Sequence, residues 1–246
     1  MIPKNIHYCW FGNNKKPKIV LRSIRTWESF RNYSITEWNE SNCDIQINKY
    51  VKDAYDNKSW AHVSDYFRLK ALYDNGGIYF DTDVKMFKDF FPFLQHDMFL
   101  GFMFDCNLGT AVIGARKNDQ TIKRLLSLYE NMEFTKSANN DLYTKWFLEN
   151  KNLKLNNKKQ ELEGVTVYPK EFFECPTHDK TMGYSAHYFM GSWQPNKPTL
   201  FKKINKKIKL FLFGDVKYHK QSRQKALEIS GFYPLYEQHM KEGSNE

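Results

Sequence analysis

The sequence predicts an α/β domain with a mixed, mostly parallel central sheet flanked by helices. Three observations predict it. A strand–helix–strand run opens the chain across residues 6–38. A helix that starts at Trp60 is closed by Gly76-Gly77 and followed at once by three apolar residues, Ile78-Tyr79-Phe80. Two carboxylates, Asp81 and Asp83, come directly after that run. A short, continuously apolar strand suits the middle of a parallel sheet covered on both faces. Open α/β sheets bind their ligands just past the C-terminal ends of such strands.

Residues 6–11 read as the first strand, closed by Gly12. After a loop with Lys15, Lys16 and Pro17, the spacings of Val20, Ile24 and Trp27 mark a helix. Residues 33–38 read as the second strand and end in a polar loop, residues 39–42. A unit of this length is a βαβ crossover, a common start for a nucleotide-binding domain. In the helix from Trp60, Ser59 is the expected N-cap. Val63, Phe67 and Ala71 give it one apolar face, and Asp65 and Arg68, three apart, share another. Gly76-Gly77 is expected to end it in the left-handed conformation.

Residues 84–92 read as a strand and a turn, and residues 99–104 and 109–115 as further strands. Asp119 is placed to cap a helix whose apolar face is Ile122, Leu125, Leu126 and Tyr129. Another helix covers residues 141–149, and the polar stretch 151–163 reads as a surface loop. Residues 165–168 form a strand stopped by Pro169.

The chain has 246 residues, 41% hydrophobic and 17% aromatic, which is enough for one large domain with a full core. Its net charge of +9 calls for an anionic partner: a phosphorylated substrate, anionic lipid or nucleic acid. None of the four cysteines is paired at Cys-x-x-Cys spacing, which argues against a zinc site, and reduced cytoplasmic thiols are expected. The N-terminus shows no apolar signal segment, and no window of 18 apolar residues suggests a membrane span.

The two aspartates carry the chemistry. Residues i and i+2 of an extended chain point the same way, so Asp81 and Asp83 can face one site. Two adjacent hard oxygen ligands suit Mg²⁺ or Mn²⁺. An isolated Asp-x-Asp is a weak signal. Here it ends a buried strand, with an Asp/Arg helix leading in.

Trp60-Ala61, Ser64-Asp65, Arg68-Leu69, Leu72-Tyr73, Gly76-Gly77-Ile78-Tyr79 and Asp81-Thr82-Asp83 together resemble the DXD-containing sugar transferases of glycosyltransferase family 32. The resemblance extends to residues 2–12 and to His187 and Ser192-Trp193. It implies the GT-A fold of nucleotide-diphospho-sugar transferases. It also implies a Mn²⁺ or Mg²⁺ site made by Asp81, Asp83 and His187. Asp65 and Arg68 would orient the sugar and its phosphate. Tyr8 and Trp10 near the first strand's end and Asn42 would contact the nucleotide, with Trp10 stacked on the base, and Ser192 and Trp193 would neighbour the metal or the diphosphate. Asn107-Leu108-Gly109 is a candidate lining of the sugar or acceptor site.

The expected activity is retaining transfer of a hexose from a nucleotide sugar to a saccharide or lipid-linked saccharide acceptor in surface polysaccharide synthesis. UDP-hexose is the favoured donor and GDP-mannose the alternative. A hydrolase of nucleotide sugars would use the same metal site. A basic nucleic-acid-binding protein fits the charge but lacks a recognised motif. The catalytic domain is expected to span residues 1–196, and residues 197–246 a basic helical extension. Within it, Leu200, Ile204, Ile208 and Leu212 recur every four residues among five lysines. That pattern suits either packing on the domain or peripheral contact with the inner face of the cytoplasmic membrane.

Overall fold

A computed structural model describes residues 1–188 and, in the C-terminal part, residues 214, 216, 217, 220, 221, 224, 227, 228 and 230–243. The opening is the expected crossover: β1 (Asn5–Cys9), α1 (Lys18–Glu28) and β2 (Ser34–Trp38). β1 and β2 run parallel in full register, Asn5 opposite Ser34 and Cys9 opposite Trp38. Next, α2 (Lys49–Asp56) and α3 (Trp60–Asn75) lead into β3 (Gly77–Phe80), which lies parallel on the other side of β1. β4 (Val84–Met86) and a 3-10 turn at Phe91–Phe93 follow, then β5 (Met98–Phe104) and β6 (Asn107–Ala115). The chain continues through α4 (Gln120–Asn131), α5 (Asn139–Lys151), β7 (Gln160–Leu162), β8 (Val165–Tyr168), α6 (Lys170–Phe173) and β9 (Ser185–His187). The last described helix is α7 (Tyr233–Glu242).

Seven strands form one sheet in the order β2-β1-β3-β6-β5-β8-β7, and β4 pairs with β9 in a separate two-stranded sheet. β6 runs against both β3 and β5, and β7 against β8, while β5 and β8 are parallel. All strands of the large sheet except β6 and β7 therefore point one way, the mixed but mostly parallel sheet the sequence predicts. Its two faces carry separate cores. Tyr79 joins the core under α2 to α5, whereas Ile78 and Phe80 join the core with Trp27, Phe90 and Phe173. The alternation along β3 is the two-residue period of a strand buried on both sides.

α3 is more deeply placed than its one apolar face suggests. Val63, Phe67 and Ala71 are buried, but so are Tyr66, Leu69 and Leu72, and with them His62, Asp65 and Arg68. The helix lies between the sheet and α2 and α4, so no side of it is fully wet. Ser59 is not a side-chain cap: its hydroxyl pairs with His62 Nδ1 at 2.8 Å. Asp119 does cap α4, accepting from Ile122 N at 2.9 Å. Gly76 has φ 66° and ψ 176°, outside the left-handed helical region expected for a cap. Essentially only glycine populates that region.

The short elements α2, α6, β7 and β9 were not anticipated, and β7 falls within the stretch expected to be loop. All four cysteines are buried and free of disulfides. The amphipathic pattern at residues 198–213 lies outside the described residues. Beyond it, Leu227 is buried in the core under α3, with Phe232, Tyr233 and Tyr236 packed against it. Among the described residues, no helix is long and apolar enough to cross a membrane.

Gly76→Ala should lower stability by about 1–3 kcal/mol or more, because φ stays positive and the new Cβ would stand 2.6 Å from the Lys117 amide nitrogen. Gly231→Ala, with open space around it, should shift stability by less than about 0.5 kcal/mol. Urea midpoints of the two variants decide it, and equal midpoints would refute the steric argument.

Candidate active site

The chain leaves β3 through a tight turn. Asp81 N donates to Ala111 O at 2.8 Å, and Val84 N to Asp81 O at 2.9 Å. That turn presents Asp81 and Asp83 at the sheet's C-terminal edge and starts β4. β9 pairs antiparallel with β4, placing His187 opposite Val84, the residue after Asp83. Ligand atoms of Asp81, Asp83 and His187 all lie within 4.8 Å of one another. His187 Nε2 is 3.2 Å from Asp83 Oδ1, and its Nδ1 is 2.9 Å from Glu174 Oε2. A histidine that gives one ring nitrogen to a carboxylate and turns the other to the site is the usual form of an imidazole metal ligand. Two carboxylates and one imidazole in mutual reach fit a divalent cation.

The charges explain this arrangement. Burial alone would lower the His187 pKa, but Asp83 and Glu174 hold it well above its ordinary value. Burial raises the pKa of Asp81, opposed by Arg68 and His187.

Behind Asp81 lies a buried polar network. Arg68 Nη2 is 2.8 Å from Asp65 Oδ1 and 3.4 Å from Asp81 Oδ1. Arg68 Nη1 donates to Thr110 O at 2.7 Å, and the guanidinium sits 4.7 Å from the centre of the Tyr79 ring. Tyr79 donates its hydroxyl proton to Asp81 Oδ1 at 2.9 Å. Asn139 Nδ2 donates to Asp65 Oδ1 at 2.6 Å, while its Oδ1 accepts from Thr110 Oγ1 at 3.1 Å. Burial pushes the Asp65 carboxyl up to about 7 against the pull of Arg68. Arg68 itself stays charged, since Asp81, Tyr79 and Asp65 outweigh the cost of burying it.

The residues assigned to the nucleotide lie along the β1 and β2 ends. Trp10 is half-buried, with its indole N–H on Asn14 O at 2.7 Å and Lys16 Nζ 5.8 Å from its ring centre. Tyr8 is buried and donates to Glu37, which also pairs with Lys16 at 2.8 Å. Asn42 closes its own loop, accepting from Asn39 N and donating to Glu37 O. Ser192 and Trp193 lie outside the described residues. Asn107-Leu108-Gly109 is not a connecting loop but the buried start of β6. Asn107 bonds Asp141 and Thr144 on α5.

Sequence reasoning missed Glu174, Asn139, Thr110 and Tyr79. Only Tyr79 carries a local signal, because it lies two residues before Asp81 and so shares its face.

No curated protein matches the chain. Among solved structures, it is similar to one titled "PaToxG Glycosyltransferase", with a TM-score of 0.46 and 20% identity over 61% of this chain and 69% of that one. Residues 17–100 match the family described as "Glycosyltransferase sugar-binding region containing DXD motif". That span holds α3, β3 and the Asp81-Thr82-Asp83 turn, so the part of this chain that is similar to that family includes the Asp-x-Asp turn at the C-terminal edge of the sheet.

Proposed function

We propose that the protein is a retaining, metal-dependent glycosyltransferase that moves a hexose from a nucleotide sugar to a saccharide or lipid-linked saccharide acceptor. The observation that carries this reading is the meeting of Asp81, Asp83 and His187 within 4.8 Å at the edge of the DXD region. These three residues would hold Mn²⁺ or Mg²⁺, which when bound neutralises a departing diphosphate. UDP-hexose is the favoured donor, and retention follows from the family resemblance.

This chain's own residues divide the remaining work. Arg68 and Tyr79 both address Asp81 Oδ1 and so set the plane of that carboxylate. Asp65 lies behind Asp81 in the same network, and its carboxylate would accept from sugar hydroxyls and orient the donor. Trp10 offers an aromatic face to the base.

The central test is product analysis with a nucleotide sugar, with and without a saccharide acceptor. Hexose on the acceptor supports transfer, whereas free hexose alone identifies a hydrolase. Chelation should silence the enzyme and Mn²⁺ restore it. Asp83→Ala should abolish transfer while the circular dichroism spectrum stays native. Full activity in chelator would sink the metal reading.

Cation binding should also depend on pH. The His187 pKa is raised, so its ion pairs with Asp83 and Glu174 are fully present below about pH 6.5, the unfolded value. They are lost as pH rises through the folded value, which lies well above that. A metal ligand must be unprotonated. Mn²⁺ should therefore raise the melting temperature more at about pH 9 than at about pH 6. An unchanged shift would mean that His187 takes no part.

Asp65→Asn keeps the shape of the network and removes a charge. It should lower kcat/KM for the nucleotide sugar much more than affinity for the nucleoside diphosphate. Arg68→Ala should instead destabilise the fold by about 3–5 kcal/mol, because it leaves buried carboxylates unpaired. Equal losses for both ligands in Asp65→Asn would make that residue purely structural.

Trp10→Ala should weaken nucleoside diphosphate binding by about 1–3 kcal/mol, the range for base–aromatic stacking. Unchanged affinity by calorimetry, in a folded variant, would assign Trp10 to packing alone.

A further inference from the structure

We propose that Glu174 is a positioning residue: it fixes the ring of His187 so that Nε2 faces the cation site, and Gly109 is required beside it to leave the carboxylate room. The inference rests on the metal reading above.

Glu174 is 1% exposed. Its backbone is held by the end of α6, whose last carbonyls have no partner within the helix. β9 and the residue before it supply the donors. Tyr184 N bonds Phe172 O at 2.8 Å, Ser185 Oγ bonds Phe173 O at 2.8 Å, and His187 N bonds Glu174 O at 3.2 Å. Phe173 anchors the turn from the other side, fully buried among Phe90, Phe93 and Phe99. Glu174 and His187 are thus joined twice, by main chain and by the 2.9 Å side-chain contact to Nδ1. An imidazole held at Nδ1 has one free choice left, and here Nε2 points at Asp83 Oδ1, 3.2 Å away.

Gly109 completes the device. A Cβ built there would stand 2.5 Å from Glu174 Oε1 and 3.0 Å from its Cδ. A side chain at that position would make the Glu174 carboxylate shift from the place where it meets His187. The glycine is explained by this close approach and not by an unusual backbone angle.

The test measures Mn²⁺ binding directly, by the electron paramagnetic resonance signal of the free ion, on the full chain. Wild type, Glu174→Ala, His187→Ala, the double variant and Gly109→Ala are compared, each shown to be folded by circular dichroism. Loss of such an outer partner typically costs about 10–100-fold in metal affinity. Glu174→Ala should raise the Mn²⁺ Kd by that factor, and Gly109→Ala should move it the same way without removing a charge. Adding Glu174→Ala to His187→Ala should change nothing more, since a residue that acts through another is silent once that other is gone. Wild-type affinity in Glu174→Ala would overturn the proposal. So would a double variant whose loss is the sum of the two. If the wild type itself binds no Mn²⁺, the metal reading fails and this inference with it, an outcome distinct from the other two.

Discussion

A buried guanidinium constrains everything around the site. Arg68 is 4% exposed and fully charged. Such a charge is tolerated only when its donors meet acceptors, and breaking the set costs several kcal/mol. The acceptors come from different places: Asp65 one turn earlier on α3, the Thr110 carbonyl on β6, and Asp81 beyond β3. Asn139 at the start of α5 bonds both Asp65 and Thr110 and closes the ring. Helix, sheet and the DXD turn are therefore held in one arrangement. The same contacts that make the core coherent also set the angle of the Asp81 carboxylate.

This coupling separates the two aspartates of the motif. The Asp81 carboxylate receives Tyr79 and Arg68 on a single oxygen and is oriented from beneath by the fold. Asp83 is oriented from the side, where it meets His187 on β9 and its carbonyl accepts from Tyr188 N at 3.1 Å. One carboxylate is fixed by the large sheet and the other by the small one. The proposed cation site is the seam between them. A seam of this kind binds a ligand that bridges both parts more firmly than either part alone, because neither set of ligands must be ordered on binding.

What the sequence made legible was local. The α3 helix, its glycine stop and the apolar β3 strand announce themselves by periodicity and by residue type over consecutive positions. So do the opening crossover and the Asp119 cap. β5, β6, α4, α5 and β8 do as well. Other features had no local trace. α6, β7 and β9 are three or four residues long, too short for a period to show. Asn139 lies 74 residues from the Asp65 it serves, and nothing near either residue marks the pairing. His187 came to notice through family resemblance, since a single histidine carries no pattern of its own. The glycine after α3 was found, but not its conformation: the residue type reveals a need for positive φ and leaves ψ open. Ser59 fitted a cap by type, yet His62 one turn on offered its hydroxyl a partner.

The reach of such non-local contacts is clearest at β9. Strand side chains alternate, so a slip of one residue would turn His187 to the opposite face and empty the site. Three residues of pairing with β4 are a weak guard against that slip. The register is fixed by what flanks it. Ser185 is fully buried and its hydroxyl is committed to Phe173 O. Tyr184 N and His187 N are committed to carbonyls on either side. Moving β9 by one residue would strand several buried polar groups at once, each costing about 1–3 kcal/mol. The sum exceeds what the slipped pairing could return. The position of the imidazole is thus decided by backbone hydrogen bonds to the end of α6, a four-residue helix. Chemistry that reads in the sequence as a two-aspartate motif depends in the folded chain on a segment about a hundred residues away.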